Sequence, residues 1–378
     1  MRLPLASVLA IVSSAAALPS LISTATMFKA GVSSRVHALR VRHASDGAQH
    51  QVQERDSEAS TEIRVRHGYT SADGWKMRTA LTGQSFIDYF HYDVQPSDNE
   101  GVANYVDGTS SGLVWVDSQN KIRIAVDGAQ QVSKRNAVRM VSSETYNPSD
   151  ELLFIFDIKH IPAVCGTWPA VWFTGANWPD DGEIDVVEGV NKYSKNTMSI
   201  HSGSGCKMST DRFPAATLIK TGATNCDAYT DAEGCGVSQN SNSSFGVGSN
   251  IVDGSTYALK YTTEGVFMWQ WNTGKGPEDI TNGEPTPSTW GEATVSFSTS
   301  TCDMNSHFKD LMLVVNTNLG GFFPEGVWDV DYAGGQTESC AKQTSFSSAY
   351  DYVRGMGEKF GYDAEWVING FYIFEQAE

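Results

Sequence analysis

From about Tyr69 onward, apolar residues recur in short alternating runs separated by turn residues. Leu113-Val114-Trp115-Val116 and Lys121-Ile122-Arg123-Ile124-Ala125-Val126 flank Asp117-Ser118-Gln119-Asn120, which predicts a hairpin. Tyr257 to Tyr261 alternates, and Thr263-Glu264-Gly265 then turns the chain. Phe267, Trp269 and Trp271 follow on one face of a predicted strand, with Met268 and Gln270 on the other. Glu151–Ile161, Leu311–Thr317 and Trp366–Phe374 are predicted strands as well, and only Phe346–Phe360 reads as a helix. Many short strands, Gly-rich turns and almost no helix predict an all-β sandwich or jelly roll. No repeat of 20 to 50 residues is visible, which argues against a propeller. The apolar pattern of the last strand predicts pairing within the same sheet, so no second domain is placed at the C-terminus.

The N-terminal residues have a different texture. Arg2, the apolar stretch Leu3–Ala17 and the small residues Ala15, Ala16 and Ala17 follow the order of a secretory signal peptide, assigned to residues 1–19. The stretch is shorter than the roughly 20 apolar residues a bilayer span requires, and no later one is longer. Residues 20–68 are poor in aromatics and rich in Ser, Ala, Arg, Gln and His, too little apolar surface for a core. They are assigned to a flexible arm or pro-segment, in which Arg-Val-Arg-His at 40–43 and 64–67 is read as solvated linker rather than processing signal. The remaining 69–378 form the predicted folded domain.

Charge and cysteine content narrow the partners. Residues 1–67 hold 8 Lys and Arg against 5 Asp and Glu; the whole chain has 27 and 44, which leaves 19 basic against 39 acidic residues beyond that point. So acidic a surface repels nucleic acid and anionic lipid but does not penalise an uncharged polysaccharide. Neither nucleic acid nor membrane is expected as a partner, and a monomer is expected. Six cysteines, at 165, 206, 226, 235, 302 and 340, suit an oxidising compartment. Their 15 connectivities stay open, although Cys226 and Cys235 could close a local loop. No Cys-x-x-Cys pair suggests zinc, and Asn242-Ser243-Ser244 is a glycosylation acceptor. The predicted location is extracellular.

Candidate chemistry concentrates in Glu183-Ile184-Asp185-Val186-Val187-Glu188. The β-branched neighbours favour a strand, on which repelling carboxylates are costly. Spacing alone favours an acidic surface strand or a cation site over catalysis. The context reverses that order: Cys165 to Phe173 and Asn177-Trp178-Pro179 bring Trp168, Trp172 and Trp178 just upstream. Tryptophan faces stack on sugar rings, and Trp168 is read as serving core packing or sugar contact equally. His201 is placed on the following strand beside Glu188. Paired carboxyls among such aromatics fit retaining glycoside hydrolysis, which needs its two acids about 5–5.5 Å apart. Period-two geometry puts Glu183 and Asp185 on one face and Glu188 on the other. One β-bulge within Asp185–Glu188 would return Glu188 to the shared face.

These stretches resemble glycoside hydrolase family 16, within it the fungal-type laminarinases that act on β-1,3-glucans with β-1,6 or β-1,4 linkages. The resemblance rests on Glu183–Glu188, Arg135–Arg139, Cys165–Asn191, His201, Ser306-His307-Phe308 and Trp366–Asn369, and covers about residues 70–378. It implies a concanavalin A-like β-jelly roll with a concave glucan-binding cleft, and a secreted endo-β-glucanase with no cofactor. Glu183 would be the nucleophile, Glu188 the acid/base and Asp185 the assisting acid. Trp172 and Trp178 would line the cleft, Arg139 would face substrate, and His201 would sit beside the acid/base. Leu319 to Trp328 departs from the Cys-Gly-Asp-Trp-like turn of these relatives, so a family disulfide is missing and Phe323 stands for a cleft tryptophan. A cell-wall transglycosylase and a non-catalytic lectin-like module are the alternatives. A structural calcium is compatible with the sequence, which has no EF-hand pattern.

Overall fold

Alternation along the strands explains how the chain divides its side chains. In Leu152–His160, Phe154, Phe156 and Ile158 enter the main core while Leu153 and Ile155 join a second cluster on the opposite face. Trp366–Gln376 does the same, with Phe371 and Ile373 inward and Tyr372 and Phe374 outward. Both strands are buried on two faces, which is why they read as nearly continuous apolar runs. The computed structural model describes residues 62–377 except 210–212, 214 and 221–223.

Two eight-stranded sheets face each other across the main core. The first contains the pairing order Val295–Ser298, Gly265–Asn272, Ser255–Thr262, Leu152–His160, Trp366–Gln376, Ile122–Ile124, Val114–Val116, with Trp75–Leu81 also paired to Trp366–Gln376. The second runs Ala216–Leu218, Cys235–Gln239, Thr197–His201, Glu183–Glu188, Thr167–Thr174, Leu311–Leu319, Arg139–Tyr146, Phe90–Tyr92. Every pairing in the two sheets is antiparallel. This is the expected all-β jelly-roll sandwich. The hairpin is present with Val114 opposite Ile124. Phe267, Trp269 and Trp271 lie together in the outer cluster, and Met268 faces the core.

Three expectations change. The folded unit begins before residue 69: Ile63 is buried in the outer cluster, the Arg64 amide donates to the Thr281 carbonyl, and Lys121 pairs with Glu62. One buried aliphatic side chain and its backbone bonds attach a segment whose composition is otherwise polar. The predicted helix 346–360 is shorter, Ala349–Gly355, starting where the Ser348 hydroxyl caps the Asp351 amide. Other short helices occur, such as Gln84–Tyr89 and Gly246–Ile251. The leader at 1–19 and the arm up to residue 61 lie outside the described residues.

All six cysteines are paired: Cys165–Cys340, Cys206–Cys302 and the local Cys226–Cys235. Among the described residues, no helix is long and apolar enough to cross a membrane.

Candidate active site

The strand Glu183–Glu188 lies in the middle of the second sheet, and its register carries the bulge. Against Thr167–Thr174, Asp185 faces Trp172 and Val187 faces Val171, so Val186 is the extra residue. Against Thr197–His201, the four residues from Asp185 to Glu188 span only the three from Ser199 to Thr197. Ile184, Val186 and Val187 all point into the core, leaving Glu183, Asp185 and Glu188 on the outer face. Two consecutive inward valines are the signature of that extra residue.

The same face collects the other candidates from neighbouring strands. The Trp168 indole N–H donates to Glu188 Oε1 at 2.8 Å, and the Trp178 indole N–H donates to Glu183 Oε2. Trp168 therefore serves the site as well as packing edge-on against Phe323, with ring centroids 5.7 Å apart. Phe323 also meets Tyr193 edge-on, so it borders the face through Trp168. Trp178 is 48% exposed, presenting a ring at the rim. Trp172 donates from its indole N–H to Asn316 Oδ1 at 2.8 Å, and the Arg139 guanidinium lies 5.1 Å from its ring centroid. Arg139 is held by Asp93 and Asp98 at 3.5 and 3.3 Å.

His201 stands opposite Glu183 in the ladder. Its Nε2 lies 3.2 Å from Asp185 Oδ2 and 4.0 Å from Glu183 Oε1. Sequence placed this ring beside Glu188; its closest acid is Asp185. Gly234, at φ +61°, lets the preceding loop approach the ring, since a Cβ there would lie 2.7 Å from His201 Nδ1 and 2.5 Å from the Ile200 carbonyl. Gly182, at φ +84°, performs the matching task before Glu183, where a Cβ would meet the His307 carbonyl and the Phe308 ring at 2.4 Å. That contact brings His307 and Phe308, far away in sequence, against the turn that leads into Glu183.

Electrostatics bind the group into one acid–base unit. Burial, then the charge of Asp185, pushes both Glu183 and Glu188 above the usual carboxyl range. Burial alone would lower His201, but Glu183, Asp185 and Glu188 outweigh it and hold the ring protonated, at about 10. The His201 cation and one indole N–H pull each glutamate back toward its charged form without overcoming that push. Glu183, Asp185 and His201 bring ligand-type atoms within 4.8 Å of one another, a spacing that could hold a cation. The mutual hydrogen bonds and the ring's positive charge fit proton transfer better than metal ligation.

Sequence reasoning missed several supporting residues. The Ser199 hydroxyl donates to Asp185 Oδ2 at 2.8 Å. Asn316 Nδ2 donates to the Tyr105 hydroxyl at 3.0 Å, so the buried Tyr105 fixes the amide that receives Trp172. Asn191 accepts from the Gly166 amide and donates to the Pro324 carbonyl, tying the exit of the strand Glu183–Glu188 to the segment bearing Phe323. Single polar residues in strand and loop carry no motif that would have found them.

Comparison with known proteins decides the family. The model of the XgeA-like catalytic GH16 domain matches residues 90–374. The chain belongs to glycoside hydrolase family 16. Among curated family relatives, a probable glycosidase of Schizosaccharomyces pombe is 32% identical over 324 residues, covering 83% of this chain and 73% of that protein. A probable endo-1,3(4)-beta-glucanase of Aspergillus niger is 32% identical over 316 residues, covering 81% of this chain and 40% of the relative. The chain thus spans well under half the length of that glucanase. Among solved family 16 structures, an elongating β-1,3-glucosyltransferase is similar with a TM-score of 0.70 and 32% identity, over 79% of this chain and 99% of that one. Laminarinase 16A from Phanerochaete chrysosporium, with 6-O-glucosyl-laminaritriose in both donor and acceptor sites, has a TM-score of 0.70 and 29% identity, over 80% of this chain and 99% of that one.

Proposed function

We propose that this family 16 protein is a secreted retaining endo-β-glucanase that cleaves β-1,3-glucans, laminarin-type and mixed-linkage, by double displacement. The observation that carries this reading is the bulged strand with Glu183 and Glu188 on one outer face, each receiving an indole N–H. In the first step a Glu183 oxygen bonds to the anomeric carbon. The carbon–oxygen bond to the leaving sugar breaks, and Glu188 gives its proton to that oxygen. Water then attacks the glycosyl carbon, Glu188 takes its proton, and the Glu183 carboxylate departs. His201 and Asp185 form the charged support for the nucleophile. Trp172, Trp178 and Arg139 flank the acids, with Trp168 on Glu188 and Phe323 against Trp168, as a row of faces for successive glucose rings. Two carboxyls suffice for this chemistry, so no cofactor is assigned. The leader and the six paired cysteines support secretion.

The test is a product and reducing-end assay on laminarin, lichenan and cellulose. Short oligosaccharides from laminarin, released first as the β anomer, are expected. Cleavage of cellulose alone would overturn the substrate assignment. Chains longer than the starting material would favour transfer to a second sugar, the reading raised by the similarity to an elongating glucosyltransferase.

Trp168→Phe gives a second prediction. The indole N–H lowers the Glu188 pKa against the upward push of burial, so its loss raises that pKa further. The alkaline limb of kcat/KM, set by deprotonation of the acid, should move to higher pH. A limb moving toward acid, measured by pH-dependent laminarin hydrolysis, would contradict the role given to Glu188.

A further inference from the structure

The bulge that turns Glu188 outward leaves its own backbone groups without regular ladder partners. On the side of Thr197–His201, pairing jumps from Asp185–Ser199 to Glu188–Thr197. The side chain of Asn196, one residue before that strand, fills the jump. Asn196 Nδ2 donates to the Val186 carbonyl at 2.8 Å, and its Oδ1 accepts from the Glu188 amide at 3.0 Å. A primary amide offers a donor and an acceptor side by side, so it acts here as a substitute peptide unit.

Asn196 is itself fully buried and held on every side. Its amide donates to Ser244 Oγ at 2.9 Å, and its carbonyl accepts from the Gln239 amide at 2.9 Å. The Ser244 hydroxyl donates to the Ser241 carbonyl at 2.9 Å. The Ser244 carbonyl accepts from the Tyr257 hydroxyl at 2.6 Å, and Tyr257 belongs to the opposite sheet. A line of buried hydrogen bonds therefore runs from one sheet through Ser244 and Asn196 to the backbone of Glu188. A strand without the extra residue in register would return Glu188 toward the core.

We infer that Asn196 is the positioning residue for the acid/base, holding the bulge that keeps Glu188 on the substrate face; this rests on the displacement proposed above. Asn196→Ala removes both bonds. Asn196→Asp keeps the size and an acceptor for the Glu188 amide but loses the donor to Val186. Each variant should lower kcat on laminarin by about 10²-fold, the scale of acid–base catalysis, with KM little changed because Glu183 and the aromatic face stay in place.

The deciding readout is dependence on the leaving group. On an aryl β-laminaribioside whose dinitrophenolate departs without protonation, the first step of both variants should approach the wild-type rate. Azide, already an anion, needs no base; it bonds to the anomeric carbon as the Glu183 ester breaks, giving the β-glycosyl azide and restoring turnover. Glu188→Ala must show the same signature; if it does not, the acid/base assignment fails rather than the role of Asn196. With Glu188→Ala behaving as expected, equal losses of the Asn196 variants on both substrates, no azide response, or no loss at all would overturn the inference. Failure of both Asn196 variants to fold would assign the residue to stability alone and overturn it too.

Discussion

Glu183→Gln is expected to lower laminarin turnover by about 10⁴-fold or more while leaving a folded protein that melts above wild type at neutral pH. The loss follows from removing the group proposed to bond to the anomeric carbon, and losses of that scale are ordinary for a nucleophile acting within a unit. The stability gain follows from the direction of the Glu183 shift. Burial and the charge of Asp185 outweigh the attraction of His201, so the folded protein binds this proton more tightly than the unfolded chain does. For a carboxyl raised on folding, stability is greatest at acid pH and is lost as pH rises from the ordinary carboxyl range through the folded pKa. The glutamine has no such slope, and its carbonyl can still accept the Trp178 indole N–H. The difference in Tm between variant and wild type should therefore be small near pH 4 and widen toward pH 8. Thermal scans across that range check the sign, and oligosaccharide release checks the turnover. Undiminished turnover would remove Glu183 from the chemistry, and a gap that narrows with pH would refute the electrostatic account.

Such a cost in stability is what made the site legible. Three acids on a half-buried strand contradict the surrounding pattern of β-branched residues, and local contradictions of that kind gather at functional sites. The bulge was derivable because period two is strict: Glu188 could reach Glu183's face only by one added residue, and Val186 supplies it. Trp366–Gln376 and Leu152–His160 were legible because both of their faces are buried. What escaped was held by single contacts. Ile63 lies in a polar stretch with nothing around it to mark its burial, and Ser199, Asn316 and Asn196 are lone polar residues whose partners come from other strands. Cysteine pairing stayed open apart from the local Cys226–Cys235, since Cys165 and Cys340 are 175 residues apart and meet only once the fold brings them together. Trp168 was undecidable between core packing and sugar contact; it packs against Phe323 and spends its indole N–H on Glu188, a contact with another strand that sequence does not display.

Asp185→Asn should move the active pH range toward acid and lower turnover at neutral pH by about 10²-fold, the scale of one lost acid–base contribution. Asp185 is buried and lies between the two glutamates in sequence. Its Oδ2 receives both the Ser199 hydroxyl and His201 Nε2. An amide oxygen in that place can accept from both, so the substitution removes charge while keeping the hydrogen bonds. Asp185 contributes upward pressure on Glu183 and Glu188, second in each case to burial. Among the influences that raise His201 against the downward pull of burial, Asp185 follows Glu183. Without that charge both glutamates release their protons at lower pH, and Glu188 becomes ionised where the first step needs it protonated. The alkaline limb of kcat/KM then falls to lower pH because the acid is spent earlier, and the acid limb falls with it because Glu183 ionises earlier. Laminarin hydrolysis followed from pH 4 to pH 9 reads both limbs. A uniform drop with the limbs unmoved would mean that Asp185 works through geometry alone, since a retained hydrogen-bond pattern with altered charge has no other way to shift them together.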